Sequence, residues 1–427
     1  MTRIDRLICQ VLPHAFILAL VAEGRLVELR IARRDKPSLT DGIFLGRLER
    51  VMPELGAAFV DIGIGRSGFL RAEDRAGIDG WPPAGAPVLV QVRNEGDGIG
   101  DKLSAGKGPR LSMNIAVSGR YLVYHPLGSG VAFSRRIEGE AERERLAGHV
   151  RDLLEGGLVL RTAAAGASSA VLRADAHDVL ERWEVIRRHA LDLQPPADLT
   201  ARLPRERDPI TKVLRDHGVT LEEIVIDDRG LARKLQDEMD KRQETIRVRW
   251  HNGPMPVFDI DDVAGQIDTA LAARIALESG VEVLFEPGET LTAIDVDSSR
   301  AGGRQGRAPR RPVDINLEAA PAIAQQLRLR NLAGAVVVDF VTMRSAYDRD
   351  KVQAVLAEAL ADDAVPTQLY GFTRLGLFEL TRARRGATLR AQLEALHQET
   401  GEQTPGEQTT GEHTTGERTT GEQTEEE

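Results

Sequence analysis

Two apolar segments that each run into aspartate, with one helical segment between them, constrain the fold more than any other feature. LTAIDVD (residues 291–297) and GAVVVDF (residues 334–340) have the apolar character of buried strands. Between them, residues 314–330 place apolar side chains at helical spacing. A strand, a helix and a second strand in this order predict that both strands are neighbours in one sheet. Strands and helices alternate through most of the remaining chain, which predicts an α/β fold of several domains.

The aspartates in these strands point to a cation. Asp295 and Asp297 alternate along one strand, so their side chains share a face, and neighbouring strands would bring Asp339 close to Asp295. Like charges at that spacing repel, and burying them without a positive partner is costly. Carboxylates without a Cys or His partner suit Mg²⁺, which takes further oxygens from water and a substrate phosphate. The alternative is that each aspartate caps a strand end or pairs with an arginine.

An arginine-rich loop follows the first of these strands. Residues 299–311 read SRAGGRQGRAPRR, in which Arg300 and Arg304 lie with three further arginines among glycines and a proline. Arginines on such a segment can hold a phosphate backbone beside the carboxylates. A solvated loop without a ligand is the alternative.

Residues 36–113 indicate a small β-barrel, because short strands alternate with glycine-containing turns. Phenylalanine is scarce in this chain, with ten in 427 residues, and Phe59 and Phe69 both lie in this segment. Lys107 follows them. Aromatic rings and a basic side chain on a barrel surface form a stacking platform for single-stranded RNA. The alternative places both rings in the barrel core.

The segments after the barrel continue the alternation of strands and helices. Residues 114–205 and 206–270 each mix the two, and the proline-rich DLQPPADLTARLP marks the boundary between them. Residues 271–395 are predicted to begin with a helix and to end with a strand near PTQLYGFT. The tail, residues 396–427, repeats GEQTT-like units with almost no apolar residue and is predicted to be disordered.

Charge and cysteine content narrow the function classes. The net charge of −10 includes −8 from residues 398–427 (nine Glu and one Arg), so the remaining −2 does not exclude a nucleic-acid partner. Cys9 is the single cysteine, which excludes a disulfide framework and a cysteine zinc site within one chain. No stretch approaches the roughly 20 apolar residues of a membrane span. The N-terminus reads as two strands around a Glu-Gly turn, and we expect a mature cytoplasmic protein.

Long motifs along the chain resemble the ribonuclease E/G family of bacterial endoribonucleases. The segments that resemble the catalytic half of this family are LTAIDVDSSRA, INLEAAPAIAQQLRLRNLAGAVVVDFVTM and TRLGLFELTRARRG. Upstream, GRLERVMPELGAAFVDIGIGRSGFL resembles the family's S1-type RNA-binding barrel, and FSRRIEG and LRTAAAG resemble its sensor of the RNA 5′ end. The similarity runs in order from about residue 5 to residue 390.

The resemblance implies a multidomain α/β fold. An RNase H-like subdomain would be split by an inserted OB-fold (S1-type) barrel and 5′-sensor, and a DNase I-like α/β catalytic subdomain would follow. The implied bounds are 1–35 and 206–270 for the RNase H-like parts, 36–113 for the S1 barrel, 114–205 for the sensor, 271–395 for the catalytic subdomain and 396–427 for the tail.

The resemblance also implies a chemistry. Asp295 and Asp339 match the family's catalytic aspartates that bind Mg²⁺, with Asp297 as a candidate further ligand. The implied activity is cleavage of single-stranded RNA to 5′-phosphate and 3′-hydroxyl products, in messenger decay and in processing of ribosomal and transfer RNA precursors. One Mg²⁺ would polarise the scissile phosphate and lower the pKa of a bound water, whose hydroxide attacks phosphorus in line.

Residues that hold the RNA are implied in the same way. The barrel residues that match the family's contacts to single-stranded RNA near the metal are Phe59, Phe69 and Lys107. The loop arginines expected to share the charge of the phosphate include Arg300 and Arg304. The residues that match a pocket for a 5′-monophosphate are Gly119, Val123, Arg161 and Thr162.

The chain departs from the family pattern at several positions. Asp297 stands where the family usually has Asn, and Thr342 stands where the family can carry an acid. An arginine that the family has in the 5′ pocket is replaced around Pro366. The family's zinc link between two chains cannot form with Cys9 alone, so a zinc-shared oligomer is not expected. An RNA-binding protein that kept the fold and lost the reaction stays open, although retention of both Asp295 and Asp339 favours the enzyme. A phosphodiesterase for DNA or a small nucleotide is a third alternative, which the RNA-type barrel disfavours.

Overall fold

The computed structural model describes residues 3–95, 108–152, 155–199, 208–242, 244–298, 310–361 and 363–400. These residues form four β-sheets and the helices that cover them, so the predicted α/β class is confirmed.

The strands of the described residues, in chain order, are β1 Arg6–Val11, β2 Ala15–Ala22, β3 Arg25–Arg33, β4 Ile43–Met52, β5 Ala57–Asp61, β6 Gly68–Arg71, β7 Pro87–Asn94, β8 Arg110–Ser112, β9 Val117–Ser118, β10 Leu122–His125, β11 Gly130–Phe133, β12 Gly157–Leu160, β13 Ala197–Asp198, β14 Glu223–Ile226, β15 Arg247–Trp250, β16 Arg274–Ala276, β17 Glu282–Pro287, β18 Leu291–Asp297, β19 Gly334–Asp339, β20 Thr367–Phe372 and β21 Phe378–Arg382. The α-helices are α1 Glu140–Val150, α2 Ser169–Asp192, α3 Pro209–His217, α4 Arg229–Lys241, α5 Val263–Leu271, α6 Pro312–Leu329, α7 Ala346–Leu360 and α8 Leu389–Thr400.

The first sheet joins the N-terminal strands to strands from the middle of the chain, in the order β15-β14-β1-β2-β3. Strands β1, β14 and β15 are parallel, and β1, β2 and β3 are antiparallel. Helices α3 and α4 cover one face of this sheet, around a core that includes Leu7 and Ile224. The predicted turn between β2 and β3 is present, and Glu23 and Gly24 both adopt positive φ there, at 49° and 75°.

The second sheet closes into a barrel. Strands β4, β5, β6, β8 and β7 pair in a ring, and pairing of β4 with β7 closes it. The barrel core includes Phe44, Leu48 and Leu111. Closure leaves few unpaired strand edges, and it confirms the small barrel predicted within residues 36–113.

The third sheet, in the order β11-β12-β10-β9, packs against α1 and α2. Helix α2 begins at a polar cap, since the Ser168 side chain accepts a hydrogen bond from the Val171 N–H. Its buried stripe is Leu172, Ala176, Val179 and Ile186.

The fourth sheet carries both aspartate-containing strands, in the order β16-β17-β18-β19-β21-β20. Strands β18 and β19 are parallel neighbours, and α6 and α7 cover one face of the sheet. That core includes Ile294 and Val338 from the sheet and Leu327 from α6. Helix α6 also contacts the first sheet, where Gln325 donates a hydrogen bond to the Leu26 carbonyl. The helix therefore fixes the fourth sheet against the N-terminal part of the chain.

Several local predictions about the last segment are wrong. Residues 271–280 do not form the predicted helix, because α5 ends at Leu271 and Arg274–Ala276 pairs with β17 as a strand. Strand β21 and helix α8 follow the strand that was predicted to be the last, and α8 extends past residue 396 into the predicted tail. Leu291 was expected to be buried, but it is 42% exposed because only alternate residues of β18 face the helices.

Among the described residues, no helix is both long and apolar enough to cross a membrane.

Candidate active site

Asp295 and Asp339 are direct partners in the register of β18 and β19. Partners on neighbouring parallel strands lie about 4.8 Å apart along the sheet and point to the same face. Ile294 and Val338 are buried under the helices, whereas both aspartates are exposed on the opposite face. The strand–helix–strand unit thus brings these two carboxylates together on the side of the sheet that α6 and α7 leave uncovered.

The electrostatics of this pair favour a cation. Partial burial, the Asp339 carboxylate and the Asp297 carboxylate raise the pKa of Asp295, in that order, and Arg274 opposes them. A divalent ion between Asp295 and Asp339 would remove this repulsion, and two carboxylates with water and phosphate oxygens form an octahedral donor set typical of Mg²⁺. The described residues contain no cluster of three or more His, Cys, Asp or Glu side chains arranged for a metal. Within the part of the chain that the structure describes, Asp295 and Asp339 are thus two adjacent carboxylates on an exposed face and not part of a larger cage of such side chains.

Asp297 lies at the end of β18, opposite Glu282 of β17. It shares the face of Asp295 by strand alternation and is half-buried. Glu282 is buried, and its carboxylate accepts a hydrogen bond from Arg274 at 3.1 Å. Asp297 thus adds negative charge beside Asp295, and its predicted role as a ligand stays a prediction.

Asn316 positions the chain that follows Asp339. This fully buried side chain of α6 donates to the Val341 carbonyl at 2.8 Å and accepts from the Val341 N–H at 3.0 Å. Val341 is two residues beyond Asp339, so the amide holds the end of β19 against α6. Sequence reasoning missed Asn316, although a lone amide on the apolar face of a helix is a signal that a buried polar partner exists.

The predicted arginine loop is described only at its end. Arg300 and Arg304 lie outside the described residues. Arg310 donates to Glu318 at 2.7 Å, and Arg311 donates twice to Asp314, at 2.9 and 2.8 Å. These two guanidinium groups are therefore paired with carboxylates of α6.

Phe59 and Phe69 are cross-strand partners on β5 and β6 of the barrel. Their rings pack edge to face with centroids 5.8 Å apart, and both are half-buried outside the barrel core. The Arg50 guanidinium lies 5.4 Å from the Phe59 ring centroid, and Arg66 lines the same surface cavity of about 430 Å³. The barrel thus presents an aromatic ring in a cavity that two arginines and the Glu49 carboxylate also line, and a ring beside a guanidinium suits a stacked base and its phosphate. Lys107 lies outside the described residues.

The four residues predicted to form the 5′-phosphate pocket converge at one end of the third sheet. Arg161 follows β12 and donates to the Gly119 carbonyl at 2.8 Å, and the Val123 strand pairs with β12. The Thr162 and Ser134 hydroxyl oxygens are 2.9 Å apart. The Arg161 guanidinium also donates to the Asp216 carboxylate of α3 at 3.1 Å.

Asp175 of α2 explains why residue 119 is glycine. Its carboxylate accepts backbone N–H bonds from Arg120, Tyr121 and Leu122, at 2.8 to 3.1 Å. A Cβ atom on Gly119 would lie 2.3 Å from an Asp175 oxygen, so a larger residue would have to displace this carboxylate from its three backbone N–H donors. Sequence reasoning missed both Asp175 and Asp216, because each acts across a long stretch of chain.

Two positions where the chain departs from the family pattern are exposed. Thr342 lies in the loop between β19 and α7. Pro366 precedes β20, and its carbonyl accepts the Ala383 N–H at 2.8 Å.

Comparison with known proteins identifies relatives over most of the chain. A model of the ribonuclease E/G family matches residues 116–385. The chain is 34% identical to ribonuclease G of Haemophilus influenzae over 401 residues, which cover 88% of this chain and 79% of that protein. It is 33% identical to ribonuclease G of Escherichia coli K12 over 400 residues, with the same coverage of 88% and 79%. Ribonuclease E of a Nostoc species is 36% identical over 391 residues, which cover 87% of this chain and 55% of that protein.

Proposed function

This chain belongs to the ribonuclease E/G family, and from that premise we propose that it is a Mg²⁺-dependent endoribonuclease that cleaves single-stranded RNA. Its substrates are messenger RNA and precursors of ribosomal and transfer RNA, and its products carry 5′-phosphate and 3′-hydroxyl ends. The single observation that carries this proposal is the register of Asp295 and Asp339, which places two carboxylates side by side on an uncovered sheet face.

The site supports hydrolysis without a protein nucleophile. When bound, Mg²⁺ supplies a Lewis acid for the scissile phosphate and lowers the pKa of water at the site. Asp295 and Asp339 provide two oxygen ligands on adjacent strands, and Asn316 holds the end of β19 in place. Water adds to phosphorus as the bond to the 3′-oxygen breaks, so the 5′ fragment keeps the hydroxyl and the 3′ fragment keeps the phosphate.

The barrel holds the RNA near this site in our proposal. Phe59 offers a ring face for one base, Phe69 supports that ring from the adjacent strand, and Arg50 contributes a positive charge. The remaining proposed RNA contacts are Lys107, Arg300 and Arg304.

The domain arrangement that fits this function is the family's. We assign the first sheet to an RNase H-like subdomain (residues 1–35 and 206–270) and the closed barrel to an S1 domain (36–113). The third sheet belongs to the 5′-sensor (114–205), and the fourth sheet to a DNase I-like catalytic subdomain (271–395).

A 5′-monophosphate on the substrate would bind at the end of the third sheet. Arg161 supplies the cation and Thr162 supplies a hydroxyl. The backbone after Gly119 forms the rest of the pocket, and its N–H groups are fixed by hydrogen bonds to Asp175. The Asp216 carboxylate already accepts a hydrogen bond from Arg161, so a phosphate at this guanidinium competes with or joins that pair.

The second candidate function is RNA binding without cleavage. Asp297 motivates it, because the family usually has an Asn at this position. The amide of Asn can orient a water, whereas the carboxylate of Asp297 repels a phosphate. The pairing of Asp295 with Asp339 favours the enzyme over this alternative.

Cleavage of a defined substrate tests the proposal. A 5′-monophosphorylated single-stranded RNA is incubated with the full chain in Mg²⁺ or in EDTA, beside Asp339→Asn. Asp350→Asn, on the exposed surface of α7, is the matched control for loss of one carboxylate. We expect cutting that needs Mg²⁺, that Asp339→Asn abolishes and that Asp350→Asn retains. RNA binding without cutting in Mg²⁺ would establish the second candidate instead.

A further inference from the structure

A second cavity, of about 550 Å³, lies away from the aspartate pair, between the end of α5, the end of α6 and the start of α8. Ligand sites in proteins typically measure about 300 to 1,000 Å³. Its charged lining is three arginines against one glutamate: Arg330, Arg384, Arg390 and Glu289. Its apolar lining includes Leu271, Pro287, Ala333 and Leu389. The cavity thus combines an excess of positive charge with apolar walls.

Arg330 is the buried cation of this cavity, with 7% of its surface exposed. Its guanidinium lies 4.2 Å from the ring centroid of Phe285 and donates to the Gln326 side-chain oxygen and to the Ala272 and Thr269 carbonyls. These three bonds account for three of the five N–H donors of an arginine, and all acceptors are neutral. Burial and the nearby Arg390 lower the pKa of Arg330 to about 10.

Arg390 approaches the same helix end from α8. It donates to the Leu271 carbonyl, and it lies 4.0 Å from Glu394 one turn further along α8. Carbonyls at the end of α5 thus accept hydrogen bonds from both guanidinium groups. Peptide carbonyls offer only a partial negative charge, so the pair keeps an excess of positive charge that the Glu394 carboxylate at 4.0 Å compensates in part.

The wall of the cavity is held in place by the backbone. Asn331 donates to the carbonyls of Arg385 and Ala387, at 2.8 and 2.9 Å, and the Leu389 N–H donates to the Arg330 carbonyl at 3.0 Å. The segment that carries Arg384 and leads into α8 is therefore fixed before any ligand binds, which reduces the entropic cost of binding.

We propose that this cavity binds a small phosphomonoester the size of a mononucleotide, with its phosphate between Arg330, Arg384 and Arg390 and its apolar part against Leu271 and Leu389. Arginine forks match the geometry of phosphate oxygens, and a dianion compensates the charge that the carbonyls leave. Free phosphate would fill only a small part of the space and would leave the apolar wall in water, whereas a nucleobase covers it.

This cavity is separate from the sensor, where Arg161 is proposed to bind the 5′-monophosphate of the RNA. Helices α5 and α8 share a buried core with the first sheet, which includes Ile8, Ala270 and Leu389. Phe285 and Pro287 on the cavity wall belong to β17 of the fourth sheet, so a ligand there would contact two parts of the chain.

Calorimetric titration of the full chain in EDTA tests the proposal, with 5′-AMP, adenosine and inorganic phosphate as probes. Arg390→Gln and Arg384→Gln each remove a lining charge, and Arg385→Gln is the matched control because Arg385 is exposed next to the cavity without lining it. Arg161→Gln reports on AMP that binds the sensor instead. Thermal unfolding of every variant establishes that it is folded.

In Arg161→Gln, which removes the guanidinium of the sensor, we expect 5′-AMP to bind with one-to-one stoichiometry, and adenosine and phosphate each to bind at least ~10-fold more weakly. Arg390→Gln and Arg384→Gln should each weaken AMP binding by ~10-fold or more, since each removes a charge-assisted hydrogen bond. Arg385→Gln should leave it unchanged, and the cavity should still bind AMP in Arg161→Gln. The proposal is overturned if AMP does not bind, if adenosine or phosphate binds as tightly, if neither lining variant weakens binding, or if Arg161→Gln alone abolishes it.

Discussion

Asp295 and Asp339 face each other across two adjacent parallel strands, on the side of the sheet that α6 and α7 do not cover. The apolar neighbours of both residues, Ile294 and Val338, fill the core on the opposite side. The same alternation that buries the apolar half of each strand therefore exposes the two acids together. Pairing like charges at this spacing costs stability, since the Asp339 carboxylate disfavours ionisation of Asp295.

Asp339→Asn should stabilise the chain in EDTA at neutral pH. Burial, Asp339 and Asp297 raise the pKa of Asp295 in the folded state. A carboxyl whose pKa is raised on folding favours the folded state at low pH, and this contribution is lost as the pH rises through the folded-state pKa. The variant removes one source of that rise, so its advantage exists at pH 7 and shrinks toward pH 4. Because the aspartates are exposed and screened, we expect less than about 1 kcal/mol.

Urea unfolding of both proteins at pH 7 and pH 4 measures this difference. A variant that is less stable than the parent chain at pH 7 in EDTA would contradict the repulsion between the two acids. Added Mg²⁺ should make the parent chain more stable than the variant, because only the parent chain keeps both carboxylate ligands, Asp295 and Asp339.

Asn316→Ala should raise the Mg²⁺ concentration that cleavage needs and leave the affinity for RNA unchanged. Removing the amide leaves the partly buried N–H and carbonyl of Val341 without their partner, which costs about 1–3 kcal/mol. It also frees the end of β19, so the Mg²⁺ concentration for half-maximal cleavage should rise by about 10- to 100-fold. RNA affinity in EDTA should not change. A loss of stability with an unaltered Mg²⁺ dependence would assign Asn316 a structural role only.

Phe59→Ala should lower the affinity for single-stranded RNA. Base stacking on an aromatic side chain contributes about 1–3 kcal/mol per base, so we expect a loss in that range. Fluorescence anisotropy of a labelled RNA in EDTA measures it, with Leu55→Ala as the control for an exposed apolar side chain near the same strands, 63% exposed. Equal affinities of the Phe59 variant and the control would show that the ring does not contact RNA.

Asp363→Ala should destabilise the fourth sheet. The Arg382 guanidinium donates to Asp363 at 2.7 and 3.3 Å, and the two side chains are only 2% and 4% exposed. Removing one partner leaves a buried charge, which costs about 3–5 kcal/mol. The exposed pair of Arg311 and Asp314 is the comparison, and Asp314→Ala should change the free energy of unfolding by less than about 1 kcal/mol. Similar losses in both variants would refute the distinction.

Local patterns predicted the parts of the structure that depend on neighbours in sequence. The strand–helix–strand unit around α6 predicted that Asp295 and Asp339 would meet, because a connection of that length returns the chain to the same sheet. Short strands with glycine turns predicted the closed barrel. The β2–β3 hairpin followed from the Glu23-Gly24 turn.

Contacts between distant segments were not predictable from the same patterns. Residues 274–276 have a helical composition but pair with β17, where Arg274 also donates a hydrogen bond to Glu282. Asp175 and Asn316 are ordinary polar residues within helices until the fold brings backbone groups to them. The three arginines of the second cavity come from two separate segments, so no spacing along the chain reveals them.

Binding of a divalent ion to the two aspartates tests the central claim most directly. Mn²⁺, which shares the preference of Mg²⁺ for carboxylate oxygens, is titrated into the full chain without RNA, and free Mn²⁺ is followed by electron paramagnetic resonance. We predict one site in the parent chain and in Asp350→Asn, and affinity at least ~10-fold weaker in both Asp295→Asn and Asp339→Asn. Affinity that is the same in all four proteins, or a parent chain that binds no Mn²⁺, would contradict a metal held between Asp295 and Asp339.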